Sequence, residues 1–138
     1  HLSKNAAQFI NTLQKNQIEV GLVSGGFTPV VEKIAKGLGI SLFAANQLEI
    51  RDGHLTGNLV GPIISREVKK ETLVRWADEL EVPIDRTIAI GDGANDLAML
   101  KRAGIGIGFC AKEIVKEEIP LQIEDRDLTK VLNLIDFL

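Results

Sequence analysis

Short β-branched runs alternate along this chain with stretches of helical periodicity, and two of those runs end in polar, glycine-rich loops. Ile18-Glu19-Val20-Gly21-Leu22-Val23 runs into Ser24-Gly25-Gly26, and Thr87-Ile88-Ala89-Ile90 runs into Gly91-Asp92-Gly93. Short apolar runs bounded by turn residues predict strands covered on both faces. The stretches between them repeat at the helical period. Ala6, Phe9, Ile10 and Leu13 form one stripe behind Ser3 as a cap. Thr28-Pro29 has the form of an N-cap followed by proline at the first helical position, with Val30, Ile34 and Leu38 after it. Ser65 caps a longer helix striped by Val68, Leu73, Trp76, Ala77 and Leu80. Strands separated by helices of this length predict βαβ units. The expected fold is α/β: a three-layer, Rossmann-like, mostly parallel sheet with helices on both faces.

The remaining segments fit that frame. Ser41–Ala45 predicts a short strand. Leu48-Glu49-Ile50 and Leu55–Val60 flank Arg51-Asp52-Gly53-His54, and an Asp-Gly pair between alternating runs is a strong hairpin signal. A short helix carrying Leu97 and Leu100, a strand at 105–109, a helix near 112–118, a strand at 121–123 and a last helix with Leu128, Val131, Leu132 and Ile135 complete the chain.

Composition narrows the function. Sixteen Lys and Arg against 19 Asp and Glu give a net charge of −3, which disfavours a phosphate-neutralising nucleic-acid binder. No apolar run approaches the roughly 20 residues that span a bilayer, so no membrane partner is expected. The single cysteine, Cys110, excludes an intrachain disulfide and fits a reducing, cytoplasmic setting.

Ligands of open α/β sheets bind at the carboxyl ends of the strands, which directs attention to the two polar loops. In Ser24-Gly25-Gly26-Phe27-Thr28, backbone N–H groups at a helix start and a serine hydroxyl make an anion site, or simply a tight turn. In Gly91-Asp92-Gly93-Ala94-Asn95-Asp96, two carboxylates one helical turn apart and an amide suit Mg²⁺, which takes oxygen ligands and one or two protein carboxylates. Lys69 stands in the first turn of a helix, where the dipole disfavours a cation, and is a candidate to neutralise phosphate. Lys70, about 100° round the helix, is its rival.

These residues resemble a family. Val23-Ser24-Gly25-Gly26-Phe27-Thr28, Lys69 and Gly91-Asp92-Gly93-Ala94-Asn95-Asp96-Leu97 are similar to the second, third and fourth motifs of haloacid-dehalogenase-type phosphatases. Ala45–Ile50, Asp52–Gly57 and Gly61–Ile64 resemble the phosphoserine phosphatase branch, and the likeness runs in order from about residue 2 to about residue 136. It implies a HAD-like core, Mg²⁺ as cofactor, and a small phosphomonoester, phosphoserine, as substrate. It implies that Ser24 and the Gly25 N–H hold phosphoryl oxygens, that Lys69 neutralises them and that Asp92 binds the metal. Asn95 would contact the phosphate or leaving group, and Asp96 would orient Lys69 or the metal's waters. Ser65 stands where relatives often have aspartate, and both residues cap helices well.

The same family uses a first motif, aspartate-x-aspartate after an apolar strand, whose first aspartate takes the phosphoryl group. These 138 residues lack one. Asp125-Arg126-Asp127 has the spacing but follows Glu124 and opens the last helix. The cap that recognises the amine and carboxylate of serine is absent as well. Residues 1–138, which begin at His1, are therefore expected to be the C-terminal portion of a phosphatase core domain. The first-motif strand would come from a missing N-terminal segment or a second chain and lie between the strands ending at Ser24 and Asp92. Another small phosphomonoester as substrate, or a non-catalytic remnant that binds phosphate or a protein, are the alternatives.

Overall fold

The computed structural model describes residues 5–61 and 63–134. In chain order these form α1 (Ala6–Lys15), β1 (Gly21–Phe27), α2 (Thr28–Gly37), β2 (Leu42–Arg51), β3 (His54–Val60), α3 (Arg66–Glu79), β4 (Ile88–Gly91), α4 (Leu97–Arg102), β5 (Ile105–Phe109), α5 (Glu113–Glu118) and β6 (Leu121–Ile123). Turns of 3-10 helix lie at Ile84–Arg86, Ala94–Asp96 and Leu128–Leu134. The cap expected from Ser3 and the contribution of Ile135 to the last helix lie outside the described residues.

The α/β expectation holds, with the strands arranged as two three-stranded sheets, β1-β2-β3 and β4-β5-β6. β1 pairs with β2 in parallel, β2 with β3 antiparallel, and β4, β5 and β6 are parallel throughout. Among the described residues no ladder joins β1 to β4, so each stands at the end of its sheet. The two sheets nevertheless share their packing layers. Phe9, Ile10 and Leu13 of α1, Ala35 of α2 and Val131 form one core with Ile107 and Phe109 of β5; Leu22 and Phe43 of the first sheet and Ile88 and Ile90 of the second join it. Ala89, between Ile88 and Ile90, points the other way, into a second core with Leu97, Leu100 and Val115, joined by Val23 and Leu73. That alternation is the period-2 geometry of a strand covered on both faces, and it confirms helices on both sides.

Four local features differ from expectation. β1 continues in extended form through Ser24-Gly25-Gly26 to Phe27, with its register against β2 shifting between Val23 and Phe27. Thr28 is the first residue of α2 and not its cap, because its hydroxyl donates to the Asn46 carbonyl at 3.1 Å. Residues 42–51 make one strand where two short ones were expected, since the polar Asn46 in its middle is buried and hydrogen-bonded. Residues 128–134 wind as 3-10 helix instead of α-helix. The hairpin expectation holds: Asp52 and Gly53 have φ of 52° and 78°, and positive φ at both central residues is the type I′ requirement that the Asp-Gly pair meets.

Candidate active site

α3 places Lys69 against the loop that follows β4. Ser65 starts the helix as expected, its Oγ accepting from Val68 N at 3.3 Å. One turn in, Lys69 is buried with Thr72 on the face turned to the protein. Its Nζ donates to Asp96 Oδ1 at 2.7 Å, with 8% of either side chain exposed. Lys70 instead pairs with Glu67 at 3.2 Å on the surface. The two lysines thus occupy different faces of α3, and Lys69 is the one that reaches the loop after β4.

Both oxygens of Asp96 are committed. Oδ2 accepts from Asp92 N at 3.0 Å and from Gly93 N at 3.2 Å, while Asp96 N donates to Gly93 O at 2.9 Å. The carboxylate is a staple: one oxygen holds the lysine and the other closes the loop on itself. Such a pair survives burial because every charged atom has partners. Gly91 is obligatory beneath it, since a Cβ there would lie 2.6 Å from Asp96 Cβ. Asp92 and Asn95, by contrast, are exposed at the carboxyl end of β4.

The Ser24-Gly25-Gly26 segment lies at the carboxyl end of β1. Gly26 N donates to Ser24 Oγ at 3.0 Å, which leaves the hydroxyl proton available to donate to another acceptor. Among the described residues, no hydrogen bond runs directly from Ser24 or Gly25 to Lys69, Asp92, Asn95 or Asp96. The link is Asn46, a residue that motif reasoning did not single out. Its Nδ2 donates to Gly25 O at 2.9 Å and its Oδ1 accepts from Ile64 N at 2.7 Å. One buried amide therefore ties the β1 segment to the approach of α3, the helix that carries Lys69. The signal for it in sequence was a polar residue interrupting an apolar strand. Arg66 was also passed over; its Nε and Nη2 donate to Ala94 O at 3.1 and 3.0 Å.

Asp125 and Asp127 accept hydrogen bonds from backbone and side-chain groups around them. Asp125 Oδ1 accepts from Asp127 N at 3.0 Å, and Asp127 Oδ1 accepts from Thr129 N at 3.0 Å and from Asn5 Nδ2 at 3.0 Å. Those within 125–129 are turn contacts, and the one from Asn5 ties this turn to the start of α1.

No group of three or more His, Cys, Asp or Glu among the described residues could hold a metal ion by itself. Asp92 is an exposed carboxylate with the exposed amide of Asn95 nearby in sequence, an oxygen-donor set that suits a hard cation completing its shell with water and phosphate. No helix among the described residues is long and apolar enough to cross a membrane.

The family model of the haloacid dehalogenase-like hydrolases matches residues 1–101. The chain belongs to that family. The phosphoserine phosphatase of Streptococcus thermophilus is 48% identical over 136 residues, covering 99% of this chain and 63% of the relative. A substrate-bound phosphoserine phosphatase complex superposes with a TM-score of 0.91 at 40% identity, over 97% of this chain and 64% of the other. A phospho-aspartyl intermediate analogue of phosphoserine phosphatase superposes with a TM-score of 0.90 at 40% identity, again over 97% and 64%. The chain thus spans a little under two thirds of the length of these relatives.

Proposed function

We propose that this chain supplies the phosphate- and metal-binding part of a phosphoserine phosphatase, a phosphoric monoester hydrolase that converts L-phosphoserine to serine and phosphate. The observation that carries it is the buried Lys69–Asp96 pair, which sets an ammonium beside the Asp92 loop at the carboxyl end of β4. An ammonium has three donors. Asp96 takes one, and the others suit the oxygens of a phosphoryl group. The Ser24 hydroxyl, its own acceptor role filled by Gly26 N, and the Gly25 N–H would hold that group from the β1 side. Asn95 would contact the phosphate or the departing serine oxygen. Asp96 acts through Lys69, because both of its oxygens are already engaged.

Asp92 would hold Mg²⁺, which when bound offsets charge on the phosphoryl oxygens. The residue that accepts the phosphoryl group would be an aspartate on a strand outside residues 1–138, forming an aspartyl-phosphate that water then hydrolyses. Support comes from the arrangement of β1 and β4, each at the end of its sheet among the described residues, with Val23 and Ala89 in one core. A parallel strand between them would satisfy ladder groups that a buried sheet cannot leave open. Residues 1–138 are then the C-terminal portion of a core domain, and the strand comes from an N-terminal segment or a second chain. The thiol of Cys110 suits a cytoplasmic setting.

The test is an add-back assay. The chain combined with a segment carrying an apolar strand and aspartate-x-aspartate should release phosphate from L-phosphoserine when Mg²⁺ is present. A panel of other small phosphomonoesters should be turned over more slowly. Faster release from another ester would reassign the substrate. Mg²⁺ and phosphate binding without any hydrolysis would make the chain a binding remnant.

A further inference from the structure

We propose that Arg66 is a positioning residue for the Asp92–Asp96 loop, holding the Ala94 carbonyl and through it the peptide that carries the Asn95 N–H. Its catalytic consequence rests on the function proposed above; its structural part does not. α3 carries two cations in its first turn, Arg66 and Lys69, where the helix dipole disfavours positive charge. Three residues apart, they lie on one side of the helix, and both reach the same loop. Lys69 Nζ meets Asp96 Oδ1 at 2.7 Å, and Arg66 Nε and Nη2 meet Ala94 O at 3.1 and 3.0 Å. Asn95 is the residue between those two anchors.

The geometry of the second anchor decides what it controls. The peptide joining Ala94 to Asn95 is planar and trans, so its carbonyl and its N–H point in opposite directions. Fixing Ala94 O on the α3 side turns the Asn95 N–H away from α3. Two donors of one rigid guanidinium converge on a single oxygen, which constrains the direction of the carbonyl as well as its distance. The same oxygen accepts from Leu97 N at the start of α4, so the peptide is gripped from two elements. Arg66 is exposed and does not fill the core, so its removal should not unfold the protein. The Lys69 anchor fixes the Asp96 end of the loop; without Arg66, Ala94 O would be held by Leu97 N alone.

Amide hydrogen exchange followed by NMR on the full chain tests this. With Arg66→Ala, the Asp96 and Leu97 amides, which donate to Gly93 O and Ala94 O, should exchange about tenfold faster, the scale of one lost hydrogen bond. Ile107 and Val115, in the two cores, should keep their protection. Arg66→Lys, retaining the charge and a single donor, should recover part of the difference. Unchanged exchange at Asp96 and Leu97 would overturn the proposal, and so would equal acceleration at Ile107 and Val115. In the add-back assay, Arg66→Ala should lower kcat about tenfold, with KM within about twofold and partial rescue by Arg66→Lys. Faster exchange with unchanged kcat would overturn the catalytic consequence. If the unsubstituted protein releases no phosphate, the proposed function fails, and the exchange result alone decides the role of Arg66.

Discussion

Lys69 and Asp96, 27 residues apart in sequence, meet at 2.7 Å with their side chains almost wholly buried. The pair joins α3 to the loop after β4, and the second carboxylate oxygen holds the backbone of that loop. Removing one partner of such a pair leaves an uncompensated buried charge, at about 3–5 kcal/mol. Lys69→Met should therefore destabilise the chain by about 3 kcal/mol in urea unfolding. Lys70→Ala, which breaks a surface pair with Glu67, should cost under about 1 kcal/mol. Comparable losses for the two lysines would show that the buried pair does not anchor the loop.

Asn46 is the next point of leverage. Asn46→Ala removes the partner of Gly25 O and of Ile64 N, and leaving buried polar groups unpaired should cost about 1–3 kcal/mol. Asn46→Asp keeps the acceptor for Ile64 N but sets a carboxylate against the Gly25 carbonyl. It should be at least as destabilising as the alanine, and thermal unfolding of the two variants checks the order. An aspartate variant as stable as the original chain would contradict the hydrogen-bond assignment.

Gly91→Ala probes the fit of the loop from below. The added Cβ would fall 2.6 Å from Asp96 Cβ, so Asp96 must move and the Lys69 contact must lengthen. The expected cost is about 1–3 kcal/mol, typical of overpacking. It should be accompanied by a shift of the Asp92 and Gly93 amide resonances, which report the bonds to Oδ2. Unperturbed resonances would contradict the packing.

Ile107, fully buried in the core that draws on both sheets, tests whether the two sheets are one structural unit. Ile107→Ala should cost about 2–5 kcal/mol and Ile107→Val about 1 kcal/mol. Fluorescence from Trp76, on α3, should report the same unfolding midpoint as circular dichroism in both variants. Separate midpoints would show that the sheets unfold independently.

Much of this fold was legible because burial on both faces leaves a plain signature. Ile105–Phe109 and the Asp52-Gly53 turn stand as expected, as does the Ser65 cap, since each depends on neighbours in sequence. Two of the misreadings share one origin, a polar residue whose partner lies far along the chain. Thr28 has the composition of a cap, yet it bonds the carbonyl of Asn46. Asn46 resembles a strand break, yet it is satisfied by Gly25 and Ile64. The site divided in the same way. Ser24, Lys69 and the Asp92–Asp96 loop stood out by residue type and spacing. Asn46 and Arg66 did not, because only tertiary hydrogen bonds give them a role.

The most direct measurement is Mg²⁺-dependent phosphate release from L-phosphoserine by the chain combined with an aspartate-x-aspartate strand. Release is expected with the unsubstituted chain and with Lys70→Ala. It should fall by at least about a hundredfold with Lys69→Met, which removes charge stabilisation at the phosphoryl group, and Asp92→Asn should raise the Mg²⁺ concentration required. Release that is unaffected by Lys69→Met and Asp92→Asn, or absent with every phosphomonoester tried, would contradict the account.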